Sequence, residues 1–169
     1  FNIALEQMQE LEKGAISNPD ENQMVGHYWL RNPALAPTEN IQNQIISTVE
    51  KIQQFAIEIH QKKIKPKNYT KFRYVLSLGI GGSSLGPQLI QSALGSLEEP
   101  MQFYFIDNTD PDGIDRTISS IGNKLSETLI LVISKSQSPG MALPVPQPTC
   151  PLGVLNVALF KLTFIVIAS

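Results

Sequence analysis

The chain has 169 residues, 42% of them hydrophobic and 17% charged, with a formal net charge of −2. That length suits about one domain or one and a half, and that charge excludes the basic surface a nucleic-acid partner requires. A single cysteine, Cys150, excludes an internal disulfide, and without a signal peptide at the start the expected compartment is cytoplasmic.

The sequence opens on Phe1 rather than Met, so further residues ahead of it are expected. Residues 1–13 read FNIALEQMQELEK. Ile3, Leu5, Met8 and Leu11 are spaced for a short amphipathic helix that ends at Gly14. Asn18-Pro19-Asp20 is a turn signal. The segment GHYWLRNPALAP carries two prolines, which argue against a helix. Its Tyr28, Trp29 and Leu30 are expected to anchor a loop on the core.

Thr38 is suited to cap a long helix. Ile41, Ile45, Val49, Ile52, Phe55, Ala56 and Ile59 then recur at helical spacing on one face. The basic run from His60 to Lys67 closes that helix, where cations favour a helix C-terminus, and Pro66 stops it. The run reads as a solvated face, with a partner surface as the alternative.

Three strand-like runs follow: Phe72–Leu78, Met101–Ile106 and Thr128–Ser134. The first and third are rich in Val, Ile and Leu without clean alternation, as strands buried on both faces are. Helical patterns over Leu85–Leu97 and Asp112–Ile121 separate them. This order predicts an α/β fold, a parallel sheet flanked by helices and preceded by an N-terminal helical segment. Ligands in such sheets sit at the carboxyl ends of the strands. Here those ends read GIGGSS, DNTDPDG and SKSQS.

Beyond Ser136 the composition changes. Residues 137–153 hold five of the 12 prolines, and Lys161 is the sole charge after Lys135. The final apolar stretch is shorter than the roughly 20 residues a membrane span needs. No membrane partner is expected. The domain reading is therefore 1–67 as an N-terminal helical segment, 68–136 as a partial sheet domain and 137–169 as an atypical Pro-rich and apolar tail.

The stretch YVLSLGIGGSSLGP, Tyr74 to Pro87, is a glycine-rich turn between a strand and a helix. Such a turn brings backbone N–H groups and a helix N-terminus to an anion. Glycine allows the close approach, and Ser83 and Ser84 could add hydroxyl donors. A dinucleotide site is the rival. Gly79 and Gly81 fit the first two glycines of GxGxxG, Ser84 stands where the third belongs, and Asp107 ends the second strand near where a ribose-binding acid belongs. Ser134-Lys135-Ser136 places two hydroxyls and a cation at the next strand end, which suits a small sugar phosphate better than a dinucleotide.

LSLGIGGSSLGPQ, FIDNTDPDGI and LVISKS, in that order, resemble the glucose-6-phosphate isomerase family, bacterial and cyanobacterial in style. MVGHYWLR and the N-terminal helix are similar too, so the resemblance covers residues 1 to about 136. It implies two sugar-isomerase domains, of which this chain holds the first half of the first. It implies aldose–ketose isomerisation of glucose 6-phosphate and fructose 6-phosphate through a cis-enediol, in glycolysis and gluconeogenesis. No metal or other cofactor is implied, and the family is a homodimer. By the same resemblance, Gly82 and Ser83 contact substrate, and Ser134, Lys135 and Ser136 bind its phosphate.

The departures follow Ser136. The family continues with a Gly-Gly-Thr type of turn, but this chain reads Gln137-Ser138-Pro139-Gly140. The threonine of that turn falls at Pro139, which has neither hydroxyl nor N–H. The Glu, His and Lys of the family's acid–base machinery have no matching positions, so no catalytic residue is assigned and the chain alone is expected to be inactive. A frameshift just after Ser136 would account for these changes together. A non-catalytic sugar-phosphate-binding module is the alternative, and a dinucleotide-binding domain a further one. His27 and His60 read as structural or surface groups. Asp107, Asp110, Asp112 and Asp115 read as capping and dipole compensation. Cys150 has no neighbouring base and is no nucleophile candidate.

Overall fold

The computed structural model describes residues 1–20, 22–96 and 100–134, together with the backbone of strands Val157–Leu159 and Leu162–Ala168. The chain forms two compact units, Phe1–Gln53 and Gln54–Ser169.

In the first unit, helix α1 (Asn2–Glu12) ends in a turn closed by glycine. Gly14 takes φ +96°, its N–H donates to the Leu11 carbonyl at 3.1 Å, and Ala15 N–H donates to the Glu10 carbonyl at 3.0 Å. This is the Schellman arrangement, which uses carbonyls a helix end otherwise leaves open. The apolar residues of α1 stay exposed, Ile3 at 71%. The Asn18-Pro19-Asp20 signal opens the turn between two short antiparallel strands, β1 (Ile16–Asn18), which Asn18 ends, and β2 (Gln23–Met24). The proline-bearing loop forms only one 3₁₀ turn, Pro33–Leu35. Trp29 is fully buried and its Nε1 donates to the Glu12 carbonyl at 3.0 Å. Leu30, expected beside it, is instead 43% exposed: consecutive residues of a turn point different ways, and Trp29 takes the inward one.

Helix α2 (Glu39–His60) starts where expected, with Ile41 N–H donating to Thr38 Oγ1 at 3.3 Å. Its end is a second Schellman turn, built on Lys62 at φ +60° with Lys63 N–H donating to the Glu58 carbonyl at 2.9 Å. Ile45, Thr48 and Ile59 are the buried positions, while Val49 and Ile52 of the expected stripe are exposed. The division between the two units falls in this same middle stretch of the helix.

In the second unit, β3 (Tyr74–Leu78) is central. It pairs in parallel with β4 (Gln102–Ile106) on one side and β5 (Thr128–Ser134) on the other. Helix α3 (Gly82–Leu94) links β3 to β4, and α4 (Pro111–Ile121) links β4 towards β5. The α/β architecture and its three parallel strands are those read from the sequence. Ile59 and Phe72 pack with Val75 and Leu129 into the core, joined by Phe55, Phe103 and Leu131. Val75, Phe103 and Leu129 share one row of the sheet, so this core lies on a single sheet face.

The tail adds two strands that its composition did not suggest. Strand β7 (Leu162–Ala168) pairs antiparallel with β5, and β6 (Val157–Leu159) pairs with β7, giving the order β4-β3-β5-β7-β6. The outer edge of β5 is therefore paired. Among the described residues no helix is long and apolar enough to cross a membrane.

Candidate functional site

The order β4-β3-β5 fixes where a ligand can sit. From β3 the chain moves to β4 on one side, and beyond β5 it moves to the other. The carboxyl ends of β3 and β5 therefore lie side by side where the connections diverge, the position at which such sheets usually bind ligands. Leu78, the last residue of β3, is level with Val132, two residues before the end of β5 at Ser134. This register brings the glycine–serine turn beside the end of β5, where Ser134 is half-buried. Lys135 and Ser136, the other two expected phosphate contacts, lie outside the described residues, as do Pro139 and Cys150.

The turn starts as an extension of the sheet: Gly79 N–H donates to the Ile106 carbonyl of β4 at 3.1 Å. Gly81 then takes φ +59° and ψ −127°, a combination L side chains resist, and caps α3. Ser84 and Leu85 N–H both donate to the Gly81 carbonyl, at 3.0 and 2.9 Å, and Ser83 N–H to Ile80 at 3.3 Å. Among the described residues no hydrogen bond takes the N–H of Gly81 or Gly82. A Cβ at Gly82 would meet nothing within 4 Å. The first residue of α3 thus borders open space, at the positive end of a helix of 13 residues.

The two serines part company. Ser83 folds back over Gly79 and is half-buried. Ser84 is fully buried, and its Oγ accepts from Gln88 Nε2 at 2.8 Å. Ser84 is therefore not the exposed donor that its place in the turn suggested. It occupies the position of the third dinucleotide glycine with a side chain that packs and bonds.

Asp107, the rival's ribose acid, is also engaged. Its Oδ2 accepts from Gln88 Nε2 at 3.1 Å and its Oδ1 from Asn108 Nδ2 at 2.9 Å. Asp110 caps α4, its Oδ2 accepting from Gly113 N–H at 2.9 Å, and Asp112 lies in the first turn. The capping reading holds for these two, whereas Asp107 ties the sheet edge to α3. Among the described residues no three His, Cys, Asp or Glu side chains group closely enough to hold a metal ion. His60 is the last residue of α2 and is exposed, and the His27 ring lies tilted at 41° against Tyr28 with ring centroids 4.2 Å apart. Sequence reasoning misses Gln88. Its spacing four residues after Ser84 is a signal for one contact, but the contact with Asp107 needs the fold.

Residues 3–140 match the family described as phosphoglucose isomerase. The chain is 54% identical over 136 residues to a glucose-6-phosphate isomerase of Nostoc sp. (strain PCC 7120), covering 80% of this chain and 26% of the relative. Identity to the glucose-6-phosphate isomerase of Acaryochloris marina is 52% over 136 residues, with the same shares covered. To that of Geotalea daltonii it is 53% over 133 residues, covering 79% of this chain and 25% of the relative. The chain thus spans about a quarter of the length of the curated relatives it matches.

Proposed function

This chain belongs to the phosphoglucose isomerase family, and from that premise we propose that it holds a sugar phosphate, glucose 6-phosphate or fructose 6-phosphate, at the carboxyl ends of β3 and β5. The observation that carries the reading is that, among the described residues, no hydrogen bond takes the N–H of Gly82 at the head of α3, on the sheet edge where the neighbouring strand β5 ends at Ser134. Gly82 and Ser83 are the substrate contacts on the turn. Ser134, Lys135 and Ser136 bind the phosphate, the serines as donors and the lysine as a point charge.

Aldose–ketose isomerisation needs a group to move a proton between C1 and C2. No residue of this chain is assigned that role. We place isomerisation, in glycolysis and gluconeogenesis, with a polypeptide of the relatives' full length, acting as a homodimer in the cytoplasm without a metal. These 169 residues supply phosphate-side and turn contacts. A sugar phosphate is favoured over a dinucleotide because Ser84 fills the third glycine's place and Asp107 is bonded to Gln88.

An amide NMR titration tests this. Fructose 6-phosphate and inorganic phosphate should both shift the Gly82 and Ser83 amides, and unphosphorylated fructose should not. Amides that ignore fructose 6-phosphate at millimolar concentration would refute the reading.

A further inference from the structure

The two ends of the glycine–serine turn are tied to adjacent residues at the end of β4, Ile106 and Asp107. At its start, Gly79 N–H donates to the Ile106 carbonyl at 3.1 Å. At its end, buried Ser84 is bonded to Gln88, and Gln88 is bonded to Asp107, the residue after Ile106. One amide nitrogen makes both links, using its two hydrogens: Nε2 donates to Ser84 Oγ at 2.8 Å and to Asp107 Oδ2 at 3.1 Å. The Asp107 carboxylate is itself oriented by Asn108 Nδ2 at 2.9 Å.

We infer that Gln88 is a positioning residue for the turn, holding Gly81 to Ser83 in their ligand-ready shape through Ser84 and Asp107. This rests on the reading that Gly82 and Ser83 meet substrate. The physical need follows from composition. Residues 79–82 hold three glycines, and a glycine-rich turn left free would lose much backbone entropy whenever a ligand ordered it. Ordering it in advance leaves more of the contact energy for binding. Local turn bonds fix Ser83, Ser84 and Leu85, but they leave the whole turn free to tilt on Gly79 and Ile80. The Gln88–Asp107 bond links α3 to the end of β4 across 19 residues of sequence and removes that freedom.

The polarity of the link provides its own test. Gln88→Glu sets two carboxylates against each other. Asp107→Asn added to it restores a donor–acceptor pair with the roles exchanged: Asn at 107 donates to the new carboxylate, as does Ser84 Oγ–H. Gln88→Met keeps the length and removes both donors. The full 169-residue chain and these variants would be compared by amide hydrogen exchange at Ser83–Leu85 and by calorimetric titration with fructose 6-phosphate.

Gln88→Met and Gln88→Glu should each speed exchange at Ser83–Leu85, the hydrogen-bonded amides of the turn, and weaken binding about five- to tenfold, the loss expected for one or two hydrogen bonds. The double variant should return both readouts to within about twofold of the parent, which a general packing role would not do. Unchanged exchange in the single variants, a double variant no better than Gln88→Glu, or acceleration spread evenly over the whole sheet would each overturn the assignment. If the parent chain fails to bind fructose 6-phosphate while exchange responds as described, the proposed function falls and the positioning link stands. If the parent binds and exchange does not respond, the reverse holds.

Discussion

A Cβ added at Gly79 would lie 2.8 Å from the carbonyl oxygen of Ser83 and 2.9 Å from its carbonyl carbon. Both obstacles are backbone, and neither can swing aside as a flexible side chain would. At Gly82, three residues on, the same added atom meets nothing. Two glycines of one turn therefore serve different ends, one to let the chain fold back and one to leave room. Gly79→Ala should cost about 1–3 kcal/mol, the range for overpacking. Gly82→Ala should leave thermal stability almost unchanged, since alanine suits the first turn of a helix, yet weaken sugar-phosphate binding. Thermal melts with a fructose 6-phosphate titration separate the two.

Asp110 should behave as a helix cap and nothing more. Its Oδ2 accepts from Gly113 N–H at 2.9 Å, and the Arg116 guanidinium lies 3.9 Å away on an exposed surface. Asp110→Ala should cost about 1 kcal/mol and Asp110→Asn much less, because asparagine caps as well as aspartate. Equal losses in the two variants would show that charge, not capping, matters there.

Trp29 anchors the first unit. It is fully buried and its indole N–H donates to the Glu12 carbonyl at 3.0 Å. Trp29→Ala should cost about 3–5 kcal/mol. Gly26→Ala should also destabilise, because its Cβ would enter the indole ring, 2.1 Å from Cε3. Both are read from denaturant midpoints.

Ser77 lies in the central strand at 2% exposure, and among the described residues its hydroxyl has no hydrogen-bond partner. An unpartnered buried hydroxyl costs stability. Ser77→Ala should hold or raise the melting temperature, the opposite sign from most core substitutions. A clear drop would mean that the hydroxyl is satisfied in solution.

The α/β order was legible because it depends on local signals. Strand runs of Val, Ile and Leu, a glycine cluster at one strand end and an aspartate cap before Pro111 all act within a few residues of themselves. The Thr38 cap and the Gly14 stop were legible for the same reason. What escaped depends on distant partners. Ser84 looks like Ser83 in sequence, but it is fully buried and bonded to Gln88, which in turn is bonded to Asp107 nineteen residues on, and that gives it another task. The stripe expected on α2 included Val49 and Ile52, whose exposure reflects what does not cover them, a fact no periodicity holds. Strands β6 and β7 were unread because a proline-rich composition masked an apolar stretch whose pairing partner, β5, lies far back in the chain.

The most direct test of the central claim is a calorimetric titration of the 169-residue chain with fructose 6-phosphate, run beside Lys135→Ala. Saturable binding that weakens about tenfold or more in the variant, as loss of a charge-assisted contact to phosphate requires, is the predicted result. No heat of binding at millimolar ligand, or equal affinity in the two proteins, would contradict the account.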